Sequence, residues 1–326
     1  MTRLSIFLAT LAVVAGCSAP EKAGKTRLVL ANVHAEGYPT ASGLQVFAQK
    51  VADNPVVNER WIVDLQLAGV LGNEKEVLEK LGFGGVQMAC TSAAPLAEFS
   101  PTIGVLTLPY LFRDPDHMWK VLDGPLGEEL LASLEASGFV GLAWYDAGAR
   151  SFYNRERPVR ALADLRGLKI RVQKSEIMGE MVAALGASPV ALGFKDVYTN
   201  LHTGALDGAE NNLPSYRSER HFEVARYYSH DRHSMIPDLL LVNRDLWRRL
   251  TPAEQAGLRQ AAVASSVAQR ELWRGYVETA LAEVRAAGCQ VDEIDDVRPF
   301  QDAVAPLYET YAPRWGGLVE RIRAVE

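Results

Sequence analysis

Short apolar strand patterns alternate with amphipathic helix patterns along almost the whole chain, and this order restricts the fold more than any other feature. A strand pattern begins at Arg27 (RLVLANV), a turn follows over residues 34–39, and helical periodicity runs from Ala41 to about Asp53. The order recurs as WIVDLQLAG, a helix over Asn73–Leu81 and GVQMACTS. It recurs again as FVGLAWYDA, GLKIRVQ and a helix over Ser175–Leu185. Strands separated by a crossover helix are laid down parallel, and the helices then cover both sheet faces. The predicted class is α/β with mostly parallel sheets. At 326 residues the chain is long enough for two domains, each with its own core.

One helix stands apart. Thr251-Pro252-Ala253-Glu254 reads as an N-cap, a proline at the first helical position and a capping-box glutamate. The helical pattern then continues past Gly275 and stops near Gly288. Unbroken, its roughly 36 residues span about 54 Å at 1.5 Å per residue, more than one small domain's diameter. Such a helix would be a spine across both domains; the alternative is two consecutive helices.

The N-terminus carries an export signal. Arg3 is followed by an uncharged, mostly apolar run from Leu4 to Gly16, then Cys17. That run is shorter than the ~20 residues a bilayer span needs, but it suits a signal-peptide core. Val14-Ala15-Gly16-Cys17 reads as a lipobox, with residues 1–16 removed, Cys17 acylated and 17–26 a polar tether. The rival, cleavage after Ala19, places Pro20 just past the scissile bond, where its ring and missing N–H are poorly tolerated. The formal charge of -6 becomes -7 once the single positive charge of Arg3 is lost (-6 minus 1). With no basic block interleaved with aromatics, nucleic acid is excluded as a partner. No CxxC or HExxH motif is present, so neither a metal nor another cofactor is expected, and Cys90 and Cys289 are expected as buried free thiols.

Ligands of open α/β sheets sit beyond the carboxyl ends of the strands. That rule selects His34 and Glu36, then Glu74, then Thr91 and Ser92, then Tyr145, Asp146 and Arg150. Hydroxyls, carboxylates, an imidazole and an arginine on one edge suit a polyol or a sugar acid. Each also has a plain structural role open to it. Glu74 suits a first-turn carboxylate, Thr91 and Ser92 suit helix caps, and His34 suits a surface turn. Arg171 differs. It lies in an alternating strand where Leu168, Ile170 and Val172 share one face and Lys169 and Arg171 the other. A charge there belongs to a solvated edge or is held for an anion, and a guanidinium fork matches a carboxylate.

The pieces GLKIRVQ and GASPVALGFKDVYTNLHTGALDGAENN, with LPYLFRDPDHMWKVLDGPLGEELL upstream, resemble the substrate-binding proteins of TRAP (tripartite ATP-independent periplasmic) transporters of the DctP type. The likeness runs from about Arg27 to near the C-terminus, and the GLKIRV and DGAENN pair is its most specific part. The resemblance implies a two-lobed periplasmic binding protein fold with a long helix spanning both lobes. Lobe I would comprise 27–148 plus 237–276 and lobe II 149–236 plus 277–326. It implies that Arg171 grips a carboxylate, that Asn211 hydrogen-bonds the solute and that Phe194 lines the pocket. Arg150 matches a second arginine that faces solute in part of the family, or else braces a loop. His233 falls where the second lobe's chain returns to the hinge.

Two departures argue against sialic acid. Lys174 stands where sialic-acid binders of the family carry asparagine, and Thr91 where they carry glutamate. WYDAGARSFYN with DGAENNLPSY looks closer to members that bind hexuronates such as glucuronate or galacturonate. The expected function is an extracytoplasmic receptor, not an enzyme, delivering a hexuronate to small and large membrane subunits from a periplasmic, Cys17-anchored position. The alternatives are a C4-dicarboxylate or 2-oxo acid receptor of the same class, a ligand-presenting sensor and an exported sugar-acid enzyme.

Overall fold

A computed structural model describes residues 24–326. The signal peptide, Cys17 and most of the tether lie outside the described residues. The strands form two sheets. The first holds β1 (Thr26–Ala31), β2 (Trp61–Gln66), β3 (Met88–Ser92), β4 (Phe139–Tyr145) and β10 (Asp238–Asn243), in the order β2-β1-β3-β10-β4. The second holds β5 (Ala149–Asn154), β6 (Lys169–Val172), β7 (Ser188–Ala191), β8 (Gly208–Asn211), β9 (Tyr227–Met235) and β11 (Gln290–Glu293), in the order β11-β9-β5-β8-β6-β7. One strand in each sheet opposes the rest: β10 pairs antiparallel with β3 and β4, and β5 with β8 and β9. The remaining ladders are parallel. Every residue of β3 and β4 is buried, as the near-continuous apolar runs of doubly covered strands require. The fold is two-lobed α/β.

The long helical pattern forms one helix, Pro252–Ala286, of 35 residues. Its start is held by the capping box: Thr251 Oγ1 accepts the Glu254 N–H at 3.3 Å, and Glu254 Oε2 accepts the Thr251 N–H at 2.7 Å. Leu258, Ala261 and Ala262 pack with Leu44, Phe47 and Tyr145 under the first sheet. Ala280 and Val284 pack with Tyr153, Tyr216 and Tyr228 under the second. Between them, the Gln269 amide grips both the N–H and the carbonyl of Asp146, each at 2.8 Å, where the chain passes from β4 to β5. Gly148 completes that crossing at φ +60°, with Trp273 so near that an added Cβ would lie 2.8 Å from its ring.

Among the described residues, Cys90 and Cys289 are buried and unpaired, each in a different core. The Leu318–Arg323 helix returns to the first lobe, where the Ile322 carbonyl meets His117 Nε2 at 3.0 Å and Arg321 pairs with Glu129. No helix among the described residues is long and apolar enough to cross a membrane.

Candidate functional site

The carboxyl ends of β1, β3 and β8 and the amino ends of the two reversed strands meet in a crevice between the lobes. His34 follows β1, Ser92 ends β3 and caps the helix after it, and Asn211 ends β8. Arg150 and Asp238 stand at the starts of β5 and β10, which run against their neighbours and so begin where those neighbours finish. Glu74 comes from the first turn of the Glu74–Gly82 helix, its N-terminus fixed by an Asn73–Glu76 capping box. Gln173 and Phe194 follow β6 and β7. The lobes are closed on one another: Tyr38 Oη contacts Ser215 Oγ at 2.9 Å, and Gln173 Oε1 accepts from Ser92 Oγ at 3.4 Å. The cavity between them is small, about 20 Å³.

Arg171 lies in an adjoining part of the crevice that shares Glu74, Gln173 and Phe194. It is among the largest fully buried side chains. Its Nε and Nη2 both donate to the Leu192 carbonyl, at 3.0 and 2.7 Å, and no hydrogen-bond partner for Nη1 is found among the described residues. Arg150 is held differently. Its Nε and Nη2 clasp the Glu210 carboxylate at 2.5 and 2.8 Å, and its Nη1 donates to Asn211 Oδ1 at 2.9 Å. Behind it, His233 bridges Asp231 at 2.8 Å and Glu210 at 3.3 Å. Burial works against the imidazolium, but the two carboxylates outweigh it and raise its pKa to about 9. The result is a buried chain of alternating charges that fixes Asn211 in the crevice wall.

The remaining walls are aromatic and acidic. The His34 ring stacks on Tyr38 at 3.8 Å, with Phe194 edge-on at 5.2 Å. Burial lowers the His34 pKa to about 3, so the ring is neutral, and its Nδ1 is buried with no partner among the described residues. Glu74 accepts the Ser92 N–H at 2.8 Å, and burial raises its pKa against the pull of that bond and of Arg171 and Arg150. Asp238 is buried, accepts from Thr40 Oγ1 at 3.3 Å, and has its pKa raised to about 8 by burial and by the charge of Glu74. Two cations, two acids, amides, hydroxyls and an aromatic wall can hold a compact polyhydroxylated anion.

Residues 30–314 match the model of bacterial extracellular solute-binding protein, family 7. The chain belongs to that family. A TRAP periplasmic solute-binding protein from Roseobacter denitrificans, solved with bound β-D-glucuronate, is 38% identical with a TM-score of 0.90, over 92% of this chain and 100% of that one. Another from Bradyrhizobium sp. BTAi1, in complex with α/β-D-galacturonate, is 41% identical with a TM-score of 0.88, over 91% and 99%. The 2,3-diketo-L-gulonate-binding periplasmic protein YiaO of Escherichia coli is 31% identical over 89% of this chain and 91% of its own length.

In this family 7 protein the crevice brings together six residues singled out from the sequence: His34, Glu74, Ser92, Arg150, Phe194 and Asn211. Arg171 lies in the adjoining part. Five others lie elsewhere. Thr91 is buried one position before Ser92 and is turned to the opposite face by strand alternation, its hydroxyl unpartnered. Tyr145 sits in the core of the first lobe, its hydroxyl 2.6 Å from Ser265 Oγ. Asp146 accepts the Gly148 N–H and faces a separate cavity beside Trp273. His233 stands behind Arg150, and Glu36 is exposed, receiving a bond from Gln45. The structure adds Gln173, Asn212, Ser215 and Asp238. Gln173 had a signal, since it lies two residues beyond Arg171 and so on the same strand face. Asp238 had none, because it precedes its strand's apolar run instead of following it.

Proposed function

We propose that this protein is the periplasmic receptor of a TRAP transporter, that it takes a hexuronate of the glucuronate or galacturonate kind, and that it delivers this solute to small and large membrane subunits. The observation that carries this reading is Arg171: a fully buried guanidinium at the interlobe crevice with one nitrogen left over for an anion. The bound glucuronate and galacturonate of the two relatives, and the hydroxyl-binding character of the other walls, support a sugar acid as its occupant. With a formal charge of -6, or -7 after export processing, the protein repels anions at long range, so capture is local. Solute that bridges both lobes favours the closed form by the contacts it makes only there.

The two lobes of this reading are 27–148 plus 237–276 and 149–236 plus 277–326, with the Leu318–Arg323 helix crossing back to the first; sheet membership supports the division. A lipid anchor at Cys17 belongs to the same proposal and is checked by membrane fractionation. A receptor should bind uronate without turning it over, and prolonged incubation followed by product analysis checks this. The central test is a calorimetric and thermal-shift comparison of uronates, aldonates, 2-oxo acids and dicarboxylates. Uronates should bind most tightly, and Arg171→Ala should lose about 2–5 kcal/mol of that binding. Undiminished affinity in Arg171→Ala, or a response to dicarboxylates alone, overturns the reading.

A further inference from the structure

Asp238 occupies a place that no sheet-edge rule anticipates. It opens β10, the reversed strand of the first sheet, and pairs with Ser92 of β3 and Tyr145 of β4, the last residues of those strands. A buried carboxyl is thereby set into the crevice wall, in the part that also holds Ser92, Arg150 and Asn211. Nothing there neutralises a negative charge. No ion pair to Asp238 is found among the described residues, and Arg150, whose charge favours its ionisation, is already clasped by Glu210. Glu74 and Asp146 add negative charge from two other elements, while the Tyr38 hydroxyl and the Cys90 thiol, which also lie in its field, are held uncharged by burial. A carboxyl buried without a counterion keeps its proton instead of ionising, and the raised pKa of Asp238, about 8, agrees. The Thr40 hydroxyl donates to Oδ2, which leaves the proton on Oδ1, the oxygen with no partner among the described residues.

We propose that Asp238 is a solute-binding residue that works as an uncharged acid, donating a hydrogen bond from Oδ1 to a hydroxyl oxygen of the sugar. The inference rests on the sugar-acid reading above and assigns a donor for the part of the solute away from its carboxylate. Arg171 lines the adjoining part of the crevice, and Glu74, Gln173 and Phe194 belong to both parts. A solute whose carboxylate is held by Arg171 therefore extends past Glu74 toward Asp238. A sugar hydroxyl accepts the Oδ1 proton with a lone pair and keeps its own O–H free to donate to another crevice group. Parting of the lobes admits water to the crevice and eases ionisation, so closure over solute takes the proton up. The closed complex is then the state with the higher pKa, and its advantage is lost as pH rises through about 8.

The test measures, by calorimetry, binding of the tighter-bound of glucuronate and galacturonate to the full mature chain, to Asp238→Asn and to Asp238→Ala. Asparagine reproduces the pattern of the neutral acid, an oxygen that accepts from Thr40 and an N–H that donates into the crevice, but it cannot ionise. At pH 7.5 Asp238→Asn should bind within about threefold of the unaltered protein, and Asp238→Ala about tenfold or more weaker. From pH 7 to 8.5 the affinity of the unaltered protein should fall several-fold, and that of Asp238→Asn should stay flat. In that range His34, with an ordinary value of 6.5, is mostly neutral whether the lobes are open or shut, and His233 keeps both its partners within its own lobe. Asparagine as damaging as alanine, or an unaltered protein whose affinity is flat or rises with pH, overturns the inference alone. Full affinity in Asp238→Ala leaves Asp238 a structural role and overturns it too. Should neither variant fold, the direction of the pH dependence in the unaltered protein decides. Failure of the unaltered protein to bind either uronate overturns the sugar-acid reading itself.

Discussion

The buried charges around Arg150 make binding and stability depend on the same few side chains. Arg150, Glu210, His233 and Asp231 alternate in sign, and each is nearly inaccessible to water. Such a network holds only while it is complete, because removing one member strands a charge in a desolvated place. His233 adds a pH dependence whose sign follows from its raised pKa. Its stabilising contribution is fully present below the ordinary value of 6.5 and is lost as pH rises through about 9. Asp238 acts in the same direction. It keeps its proton in the folded state up to about 8 against 3.8 unfolded, so folding loses ground as pH rises between those values. Urea unfolding between pH 6.5 and 9 should therefore show stability falling with pH, each proton contributing at most about 1.4 kcal/mol per pH unit. His233→Gln should flatten that slope. An unchanged slope would show that His233 is not charged in the folded protein.

Elements are placed by local chemistry more than by the site they serve. The spine helix begins at a capping box readable in four residues and survives Gly275 without a break. Nothing lies within 4 Å of where a Cβ at Gly275 would be, and its backbone is helical. Gly275→Ala should therefore raise stability by about 1 kcal/mol through the lower entropy cost of ordering alanine. Thermal unfolding measures this, and no gain would mean that the helix already bends there. The two reversed strands are the opposite case. β5 and β10 are buried like their neighbours, and nothing in their own residues states their direction. That direction is set by which edge the preceding chain arrives from, and it decides that Arg150 and Asp238 face the crevice.

At the scale of the whole molecule, closure is the functional variable. Tyr38 meets Ser215, Ser92 meets Gln173 and Gln173 meets Glu74, all across the boundary between the lobes. These contacts are polar and join the packing of His34 against Phe194, and a bridging solute adds bonds to both sides. The chain passes between the lobes at the β4–β5 crossing and on the return into β10, and the spine helix packs on both cores. In solution, saturating uronate should contract the protein, read as a smaller radius of gyration by X-ray scattering. Arg171→Ala should show no contraction at the same concentration, and equal contraction in both would separate closure from carboxylate capture.

The sequence by itself determined whatever depends on short-range pattern. Strand–helix alternation stated the class, the Thr251–Glu254 cap located the spine, and the family resemblance carried by GLKIRV and DGAENN pointed to Arg171 and Asn211. It also assembled most of the crevice, because residues following strands in a mostly parallel sheet share one edge. Tertiary structure alone decided the rest. Tyr145, Thr91 and His233 sit behind the crevice because strand alternation and core packing turned them there. Asp238 came into it because β10 runs backward between β3 and β4. Strand direction and side-chain facing are relations between segments distant in the chain, and no window of residues contains them.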